Sequence, residues 1–205
     1  MHRRPAALLA VAALAVGLSG CTTEEPTPAA TASTQATPAA DEQQLPDDLT
    51  SALAGFGVDA ADMRSAITEL DQVDQERPLD VQASVRAHEV VFTGASGEVS
   101  MPIEGEEMYV SIAPYVDQTH ECYYHALGGC QGEMTGEDVH VTITAEDGTV
   151  LVDEDVTTYA NGFVGFWLPR DVTGTVAVTA GDLTGETPFD TTDEGPTCIT
   201  TLQLA

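Results

Sequence analysis

The feature that most constrains the fold of this chain is an alternation of apolar and polar residues with a period of two, which begins after Arg77-Pro78. Successive side chains of a β-strand point to opposite faces, so such alternation predicts strands with one buried face. Asp147-Gly148 and Asn161-Gly162 lie between such runs, as hairpin turns do. The short spacing predicts an antiparallel β-sandwich-like or barrel-like domain at residues 79–205. The alternating runs are EVVFTG, MYVSIAPYV, VHVTIT, TVLVDE, VTTYA, FVGFWL, GTVAVTA and CITTLQL.

Residues 45–78 have a different pattern, which predicts helices. Pro46 suits a first helical turn, and the two aspartates after it would lie at the positive end of the helix dipole. Phe56-Gly57 is a natural stop, and Asp59 is a candidate cap for a second helix. We therefore predict an α+β fold, with a small N-terminal helical unit before the β domain. An apolar stripe at three- and four-residue spacing predicts the buried face of the second helix: Met63, Ala66, Ile67 and Leu70.

Residues 1–20 predict a secretory signal peptide. A basic start precedes an apolar run at residues 6–18, which is too short to span a bilayer as a helix. Small residues follow, and Cys21 comes directly after them, which is typical of a lipoprotein signal. We therefore expect cleavage before Cys21, lipid on its sulfur, and an exported chain anchored by lipid to the outer face of the cell membrane.

Residues 21–44 predict a flexible tether rich in Thr, Ala and Pro. Between residues 22 and 44 the chain has no aromatic residue and no aliphatic residue larger than alanine. Such a segment cannot bury enough apolar surface to offset the entropy lost on ordering. We expect it to hold the folded domain away from the membrane.

The charge of the chain excludes nucleic acid as a partner. The formal net charge of −28 becomes −30 when Arg3 and Arg4 leave with the signal peptide, and the chain contains no lysine. A polyanion requires a basic footprint, which this chain lacks. The negative field would instead raise the local concentration of cations.

The cysteine count leaves an odd number outside the cytoplasm. If Cys21 carries lipid, then Cys122, Cys130 and Cys198 remain, and disulfide pairing alone leaves one thiol over. Two interpretations follow. One is a single disulfide with a buried third cysteine, and the other is three thiolates that converge on one soft metal ion.

The stretch THECYYHALGGCQGEM at residues 119–134 brings further metal ligands together. His120 and His125 flank Cys122, and a glycine pair before Cys130 would let the two sulfurs face each other across a loop. Thiolates with imidazoles suit Cu(I) or Zn(II). A zinc site would use His120, Cys122, His125 and Cys130, although the spacing of these residues matches no specific zinc pattern. A C-x-x-C redox motif and a G-x-S-x-G hydrolase motif are both absent from the sequence.

Long stretches of the chain resemble the CueP family of copper-resistance proteins of the bacterial cell envelope. They are YVSIAPYVDQTHECYYHALGGCQGEM, TTYANGFVGFWLPRD, the terminal TCITTLQL and RSAITELDQVDQERPLDVQASVR, so the resemblance covers residues 45–205. It implies an extracytoplasmic copper-binding protein that uses Cys122, Cys130 and Cys198 as ligands. It also implies copper buffering and transfer to exported copper-dependent enzymes. The resemblance and the apolar stripe are together compatible with a homodimer. The predicted lipid anchor distinguishes this chain from the soluble periplasmic form of the family.

Three functional hypotheses follow. The first is a Cu(I) buffer or chaperone with a three-cysteine site, in which His120 and His125 are secondary ligands. The second is an interaction lipoprotein that binds zinc or carries a Cys122–Cys130 disulfide. The third is a thiol-based Cu(II) reductase, which would be an enzyme only if it turned over with an electron donor; a stoichiometric reaction would make it a binding protein.

Overall fold

The computed structural model describes residues 46–94 and 97–205. The predicted signal peptide, the lipidation of Cys21 and the tether lie outside these residues. Within them, no helix is both long enough and apolar enough to cross a membrane. The described residues belong to one compact unit, and the predicted division near residue 78 remains a prediction.

Two helices open the described chain, α1 (Asp47–Ala54) and α2 (Met63–Asp71). The predicted cap at Asp59 is wrong, because the carboxylate of Asp62 accepts a hydrogen bond from the backbone N–H of Ser65 at 2.7 Å. Asp62 has the extended backbone of an N-cap, and its oxygen satisfies an N–H group that the first turn leaves free. The predicted stripe of α2 is fully buried.

Ten strands follow the helices in the described part of the chain. They are β1 (Gln82–Val85), β2 (Glu89–Gly94), β3 (Gly97–Pro102), β4 (Glu107–Ile112), β5 (Asp138–Ala145), β6 (Val150–Thr157), β7 (Val164–Pro169), β8 (Thr173–Ala180), β9 (Leu183–Asp190) and β10 (Cys198–Ile199). They form three sheets, in the orders β1-β2-β3, β10-β4-β7 and β6-β5-β8-β9. All neighbours pair antiparallel except β10 and β4, which pair in parallel.

The second and third sheets share one core, as expected for a sandwich. Inward residues of β4 and β7, such as Met108 and Leu168, belong to the same buried cluster as Val141 of β5 and Val176 of β8. A second cluster joins the two helices to the first sheet. Helices followed by mostly antiparallel sheets confirm the predicted α+β fold.

The strand prediction needs correction at several points. β10 covers only the first two residues of CITTLQL, and no predicted run corresponds to β1, β3 or β9. The runs TVLVDE and VTTYA are not two strands, because one strand, β6, covers most of the first and continues into the second, where it ends at Thr157. Asp147-Gly148 forms the predicted hairpin turn between β5 and β6, with Gly148 at φ +87°. Asn161-Gly162 does not, since β6 and β7 belong to different sheets. That turn instead connects β6 in the third sheet to β7 in the second.

Candidate metal centre

The candidate ligands come from two distant parts of the chain. His120, Cys122, His125 and Cys130 lie in the segment between β4 and β5, whereas Cys198 begins β10. Pairing of β10 with β4 places Cys198 opposite Ser111. The long segment is tied to β10, because the carbonyl oxygen of Tyr123 accepts hydrogen bonds from the backbone N–H groups of Thr197 and Cys198 at 3.0 and 3.1 Å. These bonds bring the third cysteine to the loop.

The three thiols are free and lie close together. The sulfurs of Cys122 and Cys130 are 3.4 Å apart. Ligand atoms within 4.8 Å of one another form two sets of three: His120, Cys122 and Cys130 in one, and His125, Cys130 and Cys198 in the other. Two sulfurs bonded to one ion at about 2.3 Å each would lie about 4 Å apart. Small movements would therefore let each set hold a metal ion.

The two sets differ in their burial. We call His125, Cys130 and Cys198 the inner set, and all three are buried, with His125 at 0% and Cys198 at 2% exposure. We call His120, Cys122 and Cys130 the outer set, in which His120 is partly exposed and Cys122 is half-buried. Cys130 belongs to both sets.

Hydrogen bonds place the negative charge of the cluster on Cys130. Its sulfur lies 3.4 Å from that of Cys122, and hydrogen bonds with the thiols of Cys122 and Cys198 and with the ring of His125 hold the pKa of Cys130 well below its usual range despite burial. The backbone N–H of Ala126 also donates to this sulfur at 3.4 Å. The bond to Cys130 raises the pKa of Cys122 to about 12, and contacts with both other thiols raise that of Cys198. Cys122 and Cys198 therefore carry protons at neutral pH.

A buried carboxylate orients the histidine of the inner set. Oδ1 of Asp71, the last residue of α2, lies 2.8 Å from Nε2 of His125, and both side chains are 0% exposed. Nδ1 of His125 therefore faces the cluster, 3.7 Å from the sulfur of Cys198. Burial lowers the pKa of His125, but the charge and hydrogen bond of Asp71 outweigh it and raise the value to about 9.

Asp71 is satisfied by three further side chains. Asn161 donates to Oδ1 at 2.7 Å, and the hydroxyls of Tyr109 and Ser111 donate to Oδ2 at 2.8 and 3.0 Å. Burial would raise the pKa of Asp71, but these bonds and the His125 charge lower it. Asp71 was not among the site residues predicted from the sequence. The sequence did contain an indication of its role, because Asp71 lies four residues after Ile67 on the apolar stripe of α2. A carboxylate on a buried helix face needs hydrogen-bond partners.

The outer set opens onto the surface. A cavity of about 370 Å³ is lined by Tyr115, Thr119, His120, Glu121, Cys122, Thr200 and Thr201. Nε2 of His120 is buried and has no hydrogen-bond partner among the described residues. A buried ring nitrogen without a partner is well suited to accept a metal ion. A larger cavity of about 560 Å³ lies beside His140 and Asp155 on β5 and β6, and its lining contains no cysteine.

Comparison with known proteins agrees with this chemistry. The family model described as periplasmic copper-binding protein CueP matches residues 65–203. The chain belongs to the CueP family. The crystal structure of S.CueP is similar to it, with 34% sequence identity, a TM-score of 0.72, and coverage of 78% of this chain and 99% of that chain. No curated protein matches the chain.

Membership of the CueP family confirms two of the predictions. The family is periplasmic and copper-binding, so this is an exported protein whose metal is copper. Thiolate sulfur and imidazole nitrogen are the ligands that copper prefers, and both sets supply them. All five candidate ligands lie within the matched residues, while Cys21 lies outside both these and the described residues. The assignment of individual ligands remains a prediction.

Proposed function

We propose that this CueP-family protein binds Cu(I) through Cys122, Cys130 and Cys198 and buffers it outside the cytoplasm. The observation that carries the proposal is the convergence of Cys198 with the loop cysteines. Its sulfur lies within 4.8 Å of the Cys130 sulfur, although 68 positions separate the two residues in the sequence. A disulfide-stapled interaction protein would not require the third thiol to be there.

The arrangement of donors favours Cu(I) over zinc. Structural zinc sites are closed tetrahedra of four ligands. In the described part of the chain the donors instead form two sets of three that overlap at Cys130, which suits an ion of low coordination number. Soft thiolates also favour Cu(I) over hard cations, which prefer oxygen.

We further propose that the protein passes copper to exported copper-dependent enzymes. Support comes from the half-buried position of Cys122, because a partly open site exchanges metal more easily than a closed one. Lipid on Cys21 would confine this exchange to a layer near the membrane. A homodimer would need a surface other than the stripe of α2, since those side chains are buried in the chain's own core.

Competition titration tests the proposal. The full chain, reduced and carrying Cys21→Ser so that it stays soluble, is titrated with Cu(I) against a chromophoric chelator. Replacing a thiolate ligand by serine removes a soft donor, so Cys122→Ser, Cys130→Ser and Cys198→Ser should each weaken the affinity, and Cys130→Ser the most. Cys21→Ser alone is the control and should bind fully. Unchanged affinity in all three variants would refute the proposal.

The contact between Cys122 and Cys130 favours a second activity, stoichiometric reduction of Cu(II). Their sulfurs are 3.4 Å apart, and the Cys130 thiolate is the nucleophilic form of the thiol. Oxidation of the pair to a disulfide releases two electrons, which would reduce two Cu(II) ions to Cu(I), together with the one proton held on Cys122. Thiol counting after Cu(II) addition tests this. Turnover with an added electron donor would instead make the protein a reductase.

A further inference from the structure

We propose that the outer set, His120, Cys122 and Cys130, is an exchange position through which copper enters and leaves the inner set. This inference rests on the proposed function, because it assumes that Cu(I) is held at rest by the three cysteines, with the inner set engaged. It assigns His120 a role in the rate of copper exchange and none in the equilibrium affinity.

Cys130 makes such a transfer feasible because it belongs to both sets. Copper can stay bound to this sulfur and to that of Cys122 while Cys198 and His125 replace His120. The ion remains Cu(I) throughout. Cys198 and His125 each release the proton they hold to solvent water, so the step needs no oxidant or reductant.

Burial indicates the direction of transfer. His125 and Cys198 are 0% and 2% exposed, so a partner molecule cannot reach them directly. His120 and Cys122 line the surface cavity, and Glu121 adds negative charge at the same opening. Copper arriving from solvent would therefore meet the outer set first.

The different hydrogen-bond partners of the two histidines explain why copper would rest in the inner set. Asp71 holds His125 through Nε2 and leaves Nδ1 toward the sulfurs. Nε2 of His120 has no such partner among the described residues, and its ring only packs edge-on against Phe163 at 6.3 Å. Outer partners that fix the ring of a ligating histidine raise its affinity for metal. The inner set is therefore the tighter of the two.

Stopped-flow transfer of Cu(I) to and from a chromophoric chelator tests the proposal in the Cys21→Ser chain. His120→Ala should slow transfer in both directions by about tenfold, which corresponds to a barrier higher by about 1.4 kcal/mol. The equilibrium affinity should stay within about threefold of the parent, a change of less than 1 kcal/mol. Equal slowing in both directions is required because a residue that acts only along the path cannot shift the equilibrium.

Three further variants keep the result interpretable. His140→Ala, an exposed histidine on β5, is the matched control and should change neither rate nor affinity. His120→Gln replaces the ring if alanine disturbs folding, and should show the same slowing. His125→Ala should do the opposite, with weaker affinity and faster release.

Two results would overturn the exchange position while leaving the proposed function intact. A large loss of affinity in His120→Ala would show that His120 is a ligand at rest. Unchanged transfer rates in both His120 variants would show that copper does not pass this residue. Failure of the parent chain to bind Cu(I) would overturn the proposed function itself.

Discussion

Oδ1 of Asp71 lies 2.8 Å from Nε2 of His125, and the two side chains meet in a site from which solvent is excluded. The contact joins the end of α2 to the loop that carries most of the candidate ligands. Because Asp71 occupies Nε2, only Nδ1 of His125 remains to face the cysteines. A carboxylate behind a histidine in this way fixes both the tautomer and the orientation of the ring.

Asp71→Asn should weaken Cu(I) binding while preserving the shape of the side chain. Loss of an outer partner of this kind typically costs about 10–100-fold in metal affinity. We expect X-ray absorption of the copper-loaded variant to show less nitrogen scattering from imidazole. Asp62→Asn at the other end of α2 is the control, and asparagine also caps helices well. Equal affinity in Asp71→Asn and the parent would contradict an orienting role.

Copper binding should release protons, so affinity should rise with pH. The pKa of Cys122 is raised to about 12 and that of Cys198 is also raised, so both thiols are protonated at pH 7. Binding to three thiolates displaces these two protons, and ligation by His125, whose pKa is raised to about 9, displaces a third. The association constant should therefore rise by about two to three decades per pH unit between pH 6 and 8. Competition titrations across this range, corrected for the chelator, measure the slope. A slope near zero would mean that the thiols are not ligands.

Gly128→Ala should damage the metal loop, whereas Gly129→Ala should not. A Cβ atom on Gly128 would lie 2.1 Å from the carbonyl oxygen of Val81, so the backbone would have to move. We expect the free energy of unfolding to fall by about 1–3 kcal/mol, as is usual for overpacking, and copper affinity to fall with it. At Gly129 the nearest atom is at 3.7 Å, an ordinary contact. Denaturant unfolding of both variants compares them, and similar losses would contradict the prediction.

Glu133→Gln should loosen the start of the same loop. The Glu133 carboxylate accepts hydrogen bonds from the backbone N–H groups of Val116, Asp117 and Gln118 at 2.7, 3.0 and 3.3 Å, and these bonds lower its pKa. A lowered pKa means that the stabilisation is present above the usual glutamate value and is lost as pH falls through the folded-state value.

Amide hydrogen exchange at Val116, Asp117 and Gln118 measures this effect. We expect faster exchange at these three positions in Glu133→Gln at neutral pH, because a neutral amide accepts more weakly than a carboxylate. Glu137→Gln, also between β4 and β5, is the control. Unchanged protection would show that the carboxylate does not hold the loop.

Much of the β domain could be predicted because alternation is a local property. The alternation in a run such as VHVTIT itself indicates which of its residues are buried. The bounds of β5 agree with those of this run to within one residue at each end. β9 was missed because half of its residues are exposed and only Thr187 and Phe189 are buried, so its sequence shows little alternation. An edge strand of this kind is defined by its pairing with β8, which its own residues do not show.

Residue type and short spacing were enough to predict the α+β class and the density of ligands between residues 120 and 130. The proximity of Cys198 to Cys130 and the contact of Asp71 with His125 became visible only in the folded chain. The first depends on parallel pairing of β10 with β4, and the second on packing of α2 against the loop. Both are long-range contacts whose free energy comes from burying surfaces far apart in the chain, so local spacing cannot reveal them.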